Sequence, residues 1–241
     1  MNGTTRHHAV GLTHQGCVRT LNEDSHLIRD DAGLWVVADG MGGLERGEVA
    51  SAAIVDALGH VPLDGELERN LPRINAKLVE VNADLNDLAK KSGGRLGSTV
   101  VALHIEGAKF ACLWAGDSRL YRLRSGKLER ISRDHTQVQE MFDRGLITRD
   151  EIRGHPLGHV ISRCVGIDPR FMPETIQGAL APSDVFLLCS DGLSGPVTDA
   201  EIEAYLLGAE PAEACRRLLD LALDRGAPDN VTIVAVSSEA P

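Results

Sequence analysis

Several stretches of this chain are too apolar to lie on the surface of a sheet. LWVVA (34–38), STVVALHI (98–105), KFACLWA (109–115), DVFLLC (184–189) and NVTIVAV (230–236) set apolar side chains at consecutive positions. Neighbouring side chains of a strand point to opposite faces, so such runs belong between covered layers. RLYRLR (119–124) adds a sixth strand. Strands come in runs, as over 98–131, and helical segments come in pairs, without regular βαβ alternation. That pattern predicts an α+β fold, antiparallel sheets covered by helices, over a doubly wound parallel sheet.

The covering helices are legible. Leu67, Leu71, Ile74, Leu78, Val81, Leu85 and Leu88 recur in steps of four and three and predict one long helix, with Pro72 in its first turn. A second helix runs from Pro211 to a stop at Gly226 with a stripe of Ala214, Cys215, Leu218, Leu219 and Ala222. A shorter one is expected at 46–58. Residues 134–165 break the pattern and read as a short helix, a turn and an irregular excursion. With no linker and no repeat, 1–241 is expected to be one domain.

Composition excludes several classes. The formal charge is −10, and no basic run is longer than AKK or RR, so a nucleic-acid surface is not expected. No window approaches the ~18 apolar residues of a membrane span, and MNGTTRHHAVGLTHQG lacks the apolar centre of a signal peptide. Five cysteines without a CxxC pair fit neither a zinc ribbon nor a disulfide framework. Cys112 and Cys189 read as core residues. A cytoplasmic monomer is expected.

The apolar strands share one oddity: they run into acids. LWVVADGMGG reaches Asp39, CLWAGDSR reaches Asp117, FLLCSDGLSG reaches Asp191, and Asp229 stands just before NVTIVAV. Any one Asp-Gly is an ordinary turn. Jointly, acids at the ends of adjacent buried strands can converge. Two unit charges ~4 Å apart repel by about 4 kcal/mol at an effective dielectric near 20, and divalent cations relieve that repulsion. All-oxygen ligation selects Mg²⁺ or Mn²⁺. Gly40 and Gly192 suit tight turns and close backbone approach. In GCVRTLNEDSHLI, ahead of a further strand, Arg19 suits a phosphate's oxygens and Glu23 and Asp24 suit metal-bound waters.

RTLNED (19–24), VVADGMGG (36–43), GSTVV (97–101), WAGDSRLYRLR (114–124), LLCSDGLSG (187–195) and PDNVTIVAV (228–236) occur in one order across nearly the whole chain. In these stretches the sequence resembles the metal-dependent protein phosphatases, the PPM or type 2C family, in its bacterial form. The resemblance implies a four-layer α-β-β-α sandwich, with residues 134–165 as a flap beside the site. It implies two Mn²⁺ or Mg²⁺ ions sharing a hydroxide that hydrolyses phosphoserine and phosphothreonine. Asp39 would bridge the ions, Asp191 and Asp229 would complete one shell, and the Gly40 carbonyl would bind the other ion, with Glu23 reaching it through water. Asp117 would join Asp191 at a third, weaker ion. Arg19 would hold the phosphate, and Asn22 and Asp24 would stand behind the ligands. Phosphoproteins, among them a eukaryotic-like Ser/Thr kinase and its targets, are the implied partners.

Met41 stands where many eukaryotic members carry a His proposed to protonate the leaving group, which leaves that proton to a metal-bound water or to another group such as His155. A phosphorylated anti-sigma-type regulator is an alternative substrate, and a non-catalytic regulatory module an alternative role. A haloacid-dehalogenase-type site does not fit, because DGMGG lacks the second Asp of DxDx[TV].

Overall fold

The computed structural model describes residues 7–42 and 46–238. The described elements are, in chain order, β1 (His7–His14), β2 (Asp24–Arg29), β3 (Leu34–Gly42), α1 (Gly47–Gly59), α2 (Leu67–Ser92), β4 (Leu96–Ser98), β5 (Val100–Glu106), β6 (Lys109–Ala115), β7 (Arg119–Arg124) and β8 (Lys127–Arg130). They continue with α3 (Gln137–Asp143), β9 (Glu174–Ala179), β10 (Val185–Cys189), α4 (Asp191–Ser194), α5 (Asp199–Gly208), α6 (Pro211–Asp224) and β11 (Val231–Ser238). One sheet has the order β1-β11-β10-β7-β8 and the other β2-β3-β5-β6-β9, with β4 added on β3. Every pairing is antiparallel.

Alternation along the strands builds four layers. Trp35 and Val37 of β3 pack between the sheets with Val101, Leu103, Phe110, Phe186, Leu188 and Val234. Leu34, Val36 and Ala38 of the same strand face the other way, against Ile54 and Leu58 of α1 and Ile74 and Leu78 of α2. On the far side, Tyr121, Leu187, Cys189 and Ile233 pack against Ile202 of α5 and Cys215 and Leu218 of α6. Both faces of each sheet are therefore covered, which is why these antiparallel strands lack the usual polar alternation. Each fully buried Leu, Val or Phe contributes about 1.5–3 kcal/mol relative to exposure. The expected α-β-β-α sandwich is the one observed.

Some local expectations are corrected. α2 begins at Leu67, so Pro72 lies inside the helix rather than in its first turn; its missing N–H leaves the Glu68 carbonyl without its i+4 donor. The strand carrying Asp39 does not end there. It continues to Gly42, because β4 pairs Ser98 with Gly40 and Leu96 with Gly42. β1, β9 and α5 were not anticipated. β1 and β9 are edge strands of mixed exposure, and α5 carries a Thr198–Glu201 capping box that was a readable start signal. All five cysteines are free, and Cys112 and Cys189 are fully buried.

One buried histidine fixes the entry to this scaffold. His104 on β5 is fully buried and donates Nδ1–H to the Gly33 carbonyl at 2.9 Å, so its Nε2 accepts from Asn70 Nδ2 of α2 at 3.1 Å. Burial lowers its pKa from the ordinary 6.5. The unfolded chain therefore binds this proton first, and stability from neutral His104 is lost as pH falls below about 6.5. The gap in unfolding free energy between wild type and His104→Gln is expected to narrow from about pH 7.5 to about pH 5, read by urea denaturation. A gap independent of pH would contradict a neutral, proton-excluding His104.

Candidate metal and phosphate site

Strand register delivers the acids to one end of the sandwich. Asp24 on β2 sits directly across from Asp39 on β3. On the other sheet Cys189 pairs with Arg119 and with Ile233. Two residues past Cys189 stands Asp191, and two residues before Arg119 stands Asp117, so both leave the β7–β10 ladder at the same end. Asp229 approaches from the start of β11, and Arg19 with it: Arg19 Nη2 donates to Asp229 Oδ2 at 2.7 Å.

Close packing of backbone holds these segments together. A Cβ on Gly192 would overlap the Asn230 carbonyl, and one on Gly40 would overlap the carbonyls of Gly47 and Glu23. Neither glycine has a positive φ. Their role is close approach, and the tight-turn expectation is corrected. Asp191 instead opens the single-turn α4, closed by Gly195 N–H to Asp191 O at 2.7 Å.

Hydroxyls and amides immobilise the acids. The Asp39 backbone is gripped by Thr99, whose N–H reaches Asp39 O at 2.8 Å and whose Oγ1 accepts Asp39 N–H at 3.1 Å, and by Ser98 Oγ–H on Asp39 O at 2.9 Å. Ser190 Oγ–H donates to Asp24 Oδ2 at 2.8 Å while accepting Thr232 N–H at 3.0 Å. Asn230 accepts Glu23 N–H at 2.8 Å and donates to the carbonyls of Gln15 and Leu21. Asn22 Oδ1 accepts Asp24 N–H at 3.2 Å, and its Nδ2 donates to Thr13. Sequence reading assigned no role to Ser98, Thr99, Ser190 or Asn230, although all but Ser190's hydroxyl partner could be suspected from GSTVV, LLCSDG and PDNV. Glu23 is placed at the N-terminus of α1, where its Oε1 accepts Gly47 N–H at 2.8 Å and meets the positive end of the helix dipole.

Electrostatics mark the site. Burial and the neighbouring acids raise every shifted Asp in it. Asp39 is held well above the ordinary carboxylate range by burial first, then by Asp24, Asp191, Asp117 and Asp229. Asp24 is pushed up to about 7 by burial, against hydrogen bonds from Thr232 and Ser190. Asp117 rises to about 8 through burial, then Asp191 and Asp134. Asp191 is raised by burial and Asp229, opposed by His159 of the flap. The acids named in these effects, Asp24, Asp39, Asp117, Asp191 and Asp229, stand near enough at this end of the sandwich to act on one another's charge. His155 shows no such link; its Nδ1 accepts Leu157 N–H at 3.1 Å within the flap.

The pocket's oxygens lack partners. Among the described residues, seven buried side-chain polar atoms have no hydrogen bond, and three are Oδ1 of Asp24, Asp117 and Asp191. Buried oxygens normally find donors, so a cluster of hard, unpartnered acceptors is the donor set a divalent cation requires. Among the described residues no three His, Cys, Asp or Glu side chains are yet drawn together on one ligand point. Asp229 has turned to Arg19 instead.

Two antiparallel sheets face to face, helices outside and a cluster of acids at one end define the class of protein to which this chain is to be compared. The chain belongs to the protein phosphatase 2C family, whose model matches residues 13–219. It is 39% identical over 233 residues to the serine/threonine protein phosphatase PstP of Mycobacterium tuberculosis, covering 91% of this chain and 43% of that protein. The chain thus spans less than half the length of this relative. Among solved structures, PppA, a key regulatory component of T6SS in Pseudomonas aeruginosa, superposes with a TM-score of 0.89 at 40% identity, covering 98% of this chain and 100% of that one. The catalytic domain of PstP in complex with two manganese ions superposes at 0.88 and 34% identity, covering 98% and 100%. Among the described residues no helix is long and apolar enough to cross a membrane.

With its pKa raised from 3.8 to about 7, Asp24 costs the metal-free fold stability progressively as pH rises between those values and most above about pH 7, and the loss is recovered as pH falls and it protonates. Asp24→Asn is expected to stabilise the chelator-treated protein by about 1 kcal/mol or more at about pH 8, with the advantage shrinking towards about pH 5. Urea midpoints at the two pH values check this, and an equal or lower midpoint for the variant at the higher pH would refute it.

Proposed function

We propose that this chain is a metal-dependent protein phosphatase that hydrolyses phosphoserine and phosphothreonine in other proteins. The observation that carries the reading is the shared acid pocket with three orphaned carboxylate oxygens, in a chain of the protein phosphatase 2C family. Manganese is favoured by the two manganese ions of the similar PstP catalytic domain.

The residues fit such ions. Asp39, central to the mutual repulsion, would bridge two of them, with Asp191 and Asp229 on one and the Gly40 carbonyl on the other. Glu23 would act through water by the oxygen that Gly47 does not engage, and Asp117 with Asp191 would hold a third, weaker ion. Asn22 and Asp24 would keep the ligands in place. Bound divalent cations supply Lewis acidity, which acidifies water and neutralises charge on phosphoryl oxygens.

The chain's own groups do the rest. Arg19, with its side chain 51% exposed at the rim, is free to exchange its single Nη2 bond to Asp229 for a two-pronged contact with a substrate phosphate. That exchange also releases Asp229 toward its cation. Met41 has no proton to give. The pocket's position at an open end of the sandwich, beside residues 134–165, suits a phosphorylated side chain on a protein. A eukaryotic-like Ser/Thr kinase and its targets are the proposed source of that phosphate. Residues 1–241 act as one domain with a flap over 134–165.

Asp39→Asn is expected to lower turnover of p-nitrophenyl phosphate with Mn²⁺ by about 10³-fold or more while the circular dichroism spectrum is retained. Turnover near wild type would remove Asp39 from the centre. Arg19→Ala is expected to raise KM about tenfold with a smaller change in kcat, the pattern of lost ground-state binding. A fall in kcat at constant KM would assign Arg19 to the transition state alone.

A further inference from the structure

The root of the flap is tied to the turn that carries Asp117 by contacts the phosphatase reading leaves without a role. Arg119 opens β7 with its side chain only 19% exposed. Its Nε and Nη2 donate to Asp134 Oδ1 at 3.0 Å and Oδ2 at 2.7 Å, a two-pronged fork. Its Nη1 donates to Tyr121 Oη at 3.0 Å, and Tyr121 Oη–H donates to Asp199 Oδ1, at the start of α5, at 2.9 Å. The flanking residues follow suit. Trp114 Nε1–H donates to Arg133 O at 2.7 Å. His135 N–H donates to Gly116 O at 2.9 Å, Gly116 N–H returns to His135 Nδ1 at 3.2 Å, and the imidazole stacks on Trp114 at 6.0 Å and 8°. Three consecutive residues, 133–135, thus each grip β6, β7 or the turn between them. Asp117 follows Gly116 directly in that turn.

We infer that Arg119 is a positioning residue: through its fork to Asp134 it fixes the flap root against the Gly116–Ser118 turn, and so sets where the Asp117 carboxylate stands relative to Asp191. A buried ion pair is weak evidence of net stability, because desolvation offsets the attraction. What the fork gives is direction: two parallel bonds define the plane and the approach of Asp134. Lysine, a point charge on a flexible stem, keeps the charge and loses that geometry. The fork also spends the Asp134 charge on a cation. Arg130 Nη1 adds a longer contact to Asp134 Oδ2 at 3.4 Å, so the acid at the flap root lies between two guanidinium groups. Asp117 is thereby held by a residue that never touches a ligand of the pocket.

The molecule contains its own control. Arg124, at the other end of β7, makes a similar fork to the fully buried Asp184, Nε to Oδ1 at 2.7 Å and Nη2 to Oδ2 at 2.5 Å, away from the flap root. The experiment compares Asp134→Asn, Arg119→Lys and Asp184→Asn in the full chain. Amide hydrogen exchange of the metal-free protein is read first. Asp134→Asn and Arg119→Lys are expected to speed exchange at residues 133–136 by at least about tenfold, with β10 and β11 unchanged, while Asp184→Asn leaves the root as in wild type. Wild-type protection of the root in Arg119→Lys would overturn the fork, since charge alone would then suffice. Acceleration spread evenly over both sheets would overturn positioning in favour of general destabilisation.

Calorimetric titration with Mn²⁺ is read second, and this arm rests on the proposed phosphatase centre. The weakest binding phase is expected to move to several-fold higher Mn²⁺ in Asp134→Asn and Arg119→Lys and to stay in place in Asp184→Asn. A loosened root with unmoved Mn²⁺ binding would overturn the link to Asp117. Wild-type protein that binds no Mn²⁺ would strike the phosphatase reading, leaving the anchoring of the flap root to be decided by the exchange data alone.

Discussion

Carboxylate repulsion is the constraint around which this protein is built. Five aspartates from five separate segments meet at one end of the sandwich, and those with shifted pKa values are all raised by burial and by one another. Such a cluster is unfavourable unless something opposes it. The β2–β3 ladder supplies part of the opposition, because Asp24 and Asp39, fixed across from each other, cannot recede without breaking its hydrogen bonds. Arg19 supplies a further part at the rim, on Asp229. The remainder is left to the orphaned oxygens of Asp24, Asp117 and Asp191, and hard cations are the ligands those oxygens suit.

The scaffold tolerates this strain because its layers are dry and rigid. Side chains of both sheets interdigitate in the middle, including the tilted pair Phe110 and Phe186 with ring centroids 5.0 Å apart. Helix pairs seal the outer faces. At the site end, backbone takes the place of side chains: Gly40 lies against Gly47 and Glu23, and Gly192 against Asn230. Hydroxyls of Ser98, Thr99 and Ser190 then satisfy polar groups that the sheets leave open. The result is a pocket whose acids differ in surroundings. Glu23 is soothed by a helix N-terminus, whereas Asp39 faces four like charges. The two carboxylates therefore sit in different electrostatic surroundings although both stand at the same end of the sandwich.

Membership of the protein phosphatase 2C family agrees with this physics. The family model runs through the loop of Arg19, the segments carrying Asp24, Asp39, Asp117 and Asp191, and most of α6, and ends before Asp229 and β11. The flap is the segment least explained by packing. Its ends are held by the bridges of Thr136 to Ile161 and Ser98 to Val165 and by the contacts of Asp134 and His135, its helix α3 is capped by Thr136, and Arg153 in its middle donates to the Gly195 carbonyl at 3.4 Å.

The sequence by itself determined the layer type, because strands apolar at every position require cover on both faces, and it determined the heptad-like stripe of α2. It also named Asp39, Asp117, Asp191 and Asp229, since acids recurring jointly at the ends of buried strands mean more than any one Asp-Gly turn. It did not determine that β3 runs on past Asp39, that Asp24 lies opposite Asp39, or that Glu23 caps α1. Those facts belong to register and to contacts between residues far apart in the chain, such as Glu23 with Asn230, 207 positions away, which no local pattern encodes. Edge strands β1 and β9 were illegible for a related reason: half-exposed and without a consistent period, they become strands only because a neighbour offers them a ladder. Local chemistry is written along the chain, but the field that each carboxylate feels is a sum over distances in space, and only the folded protein sets those distances.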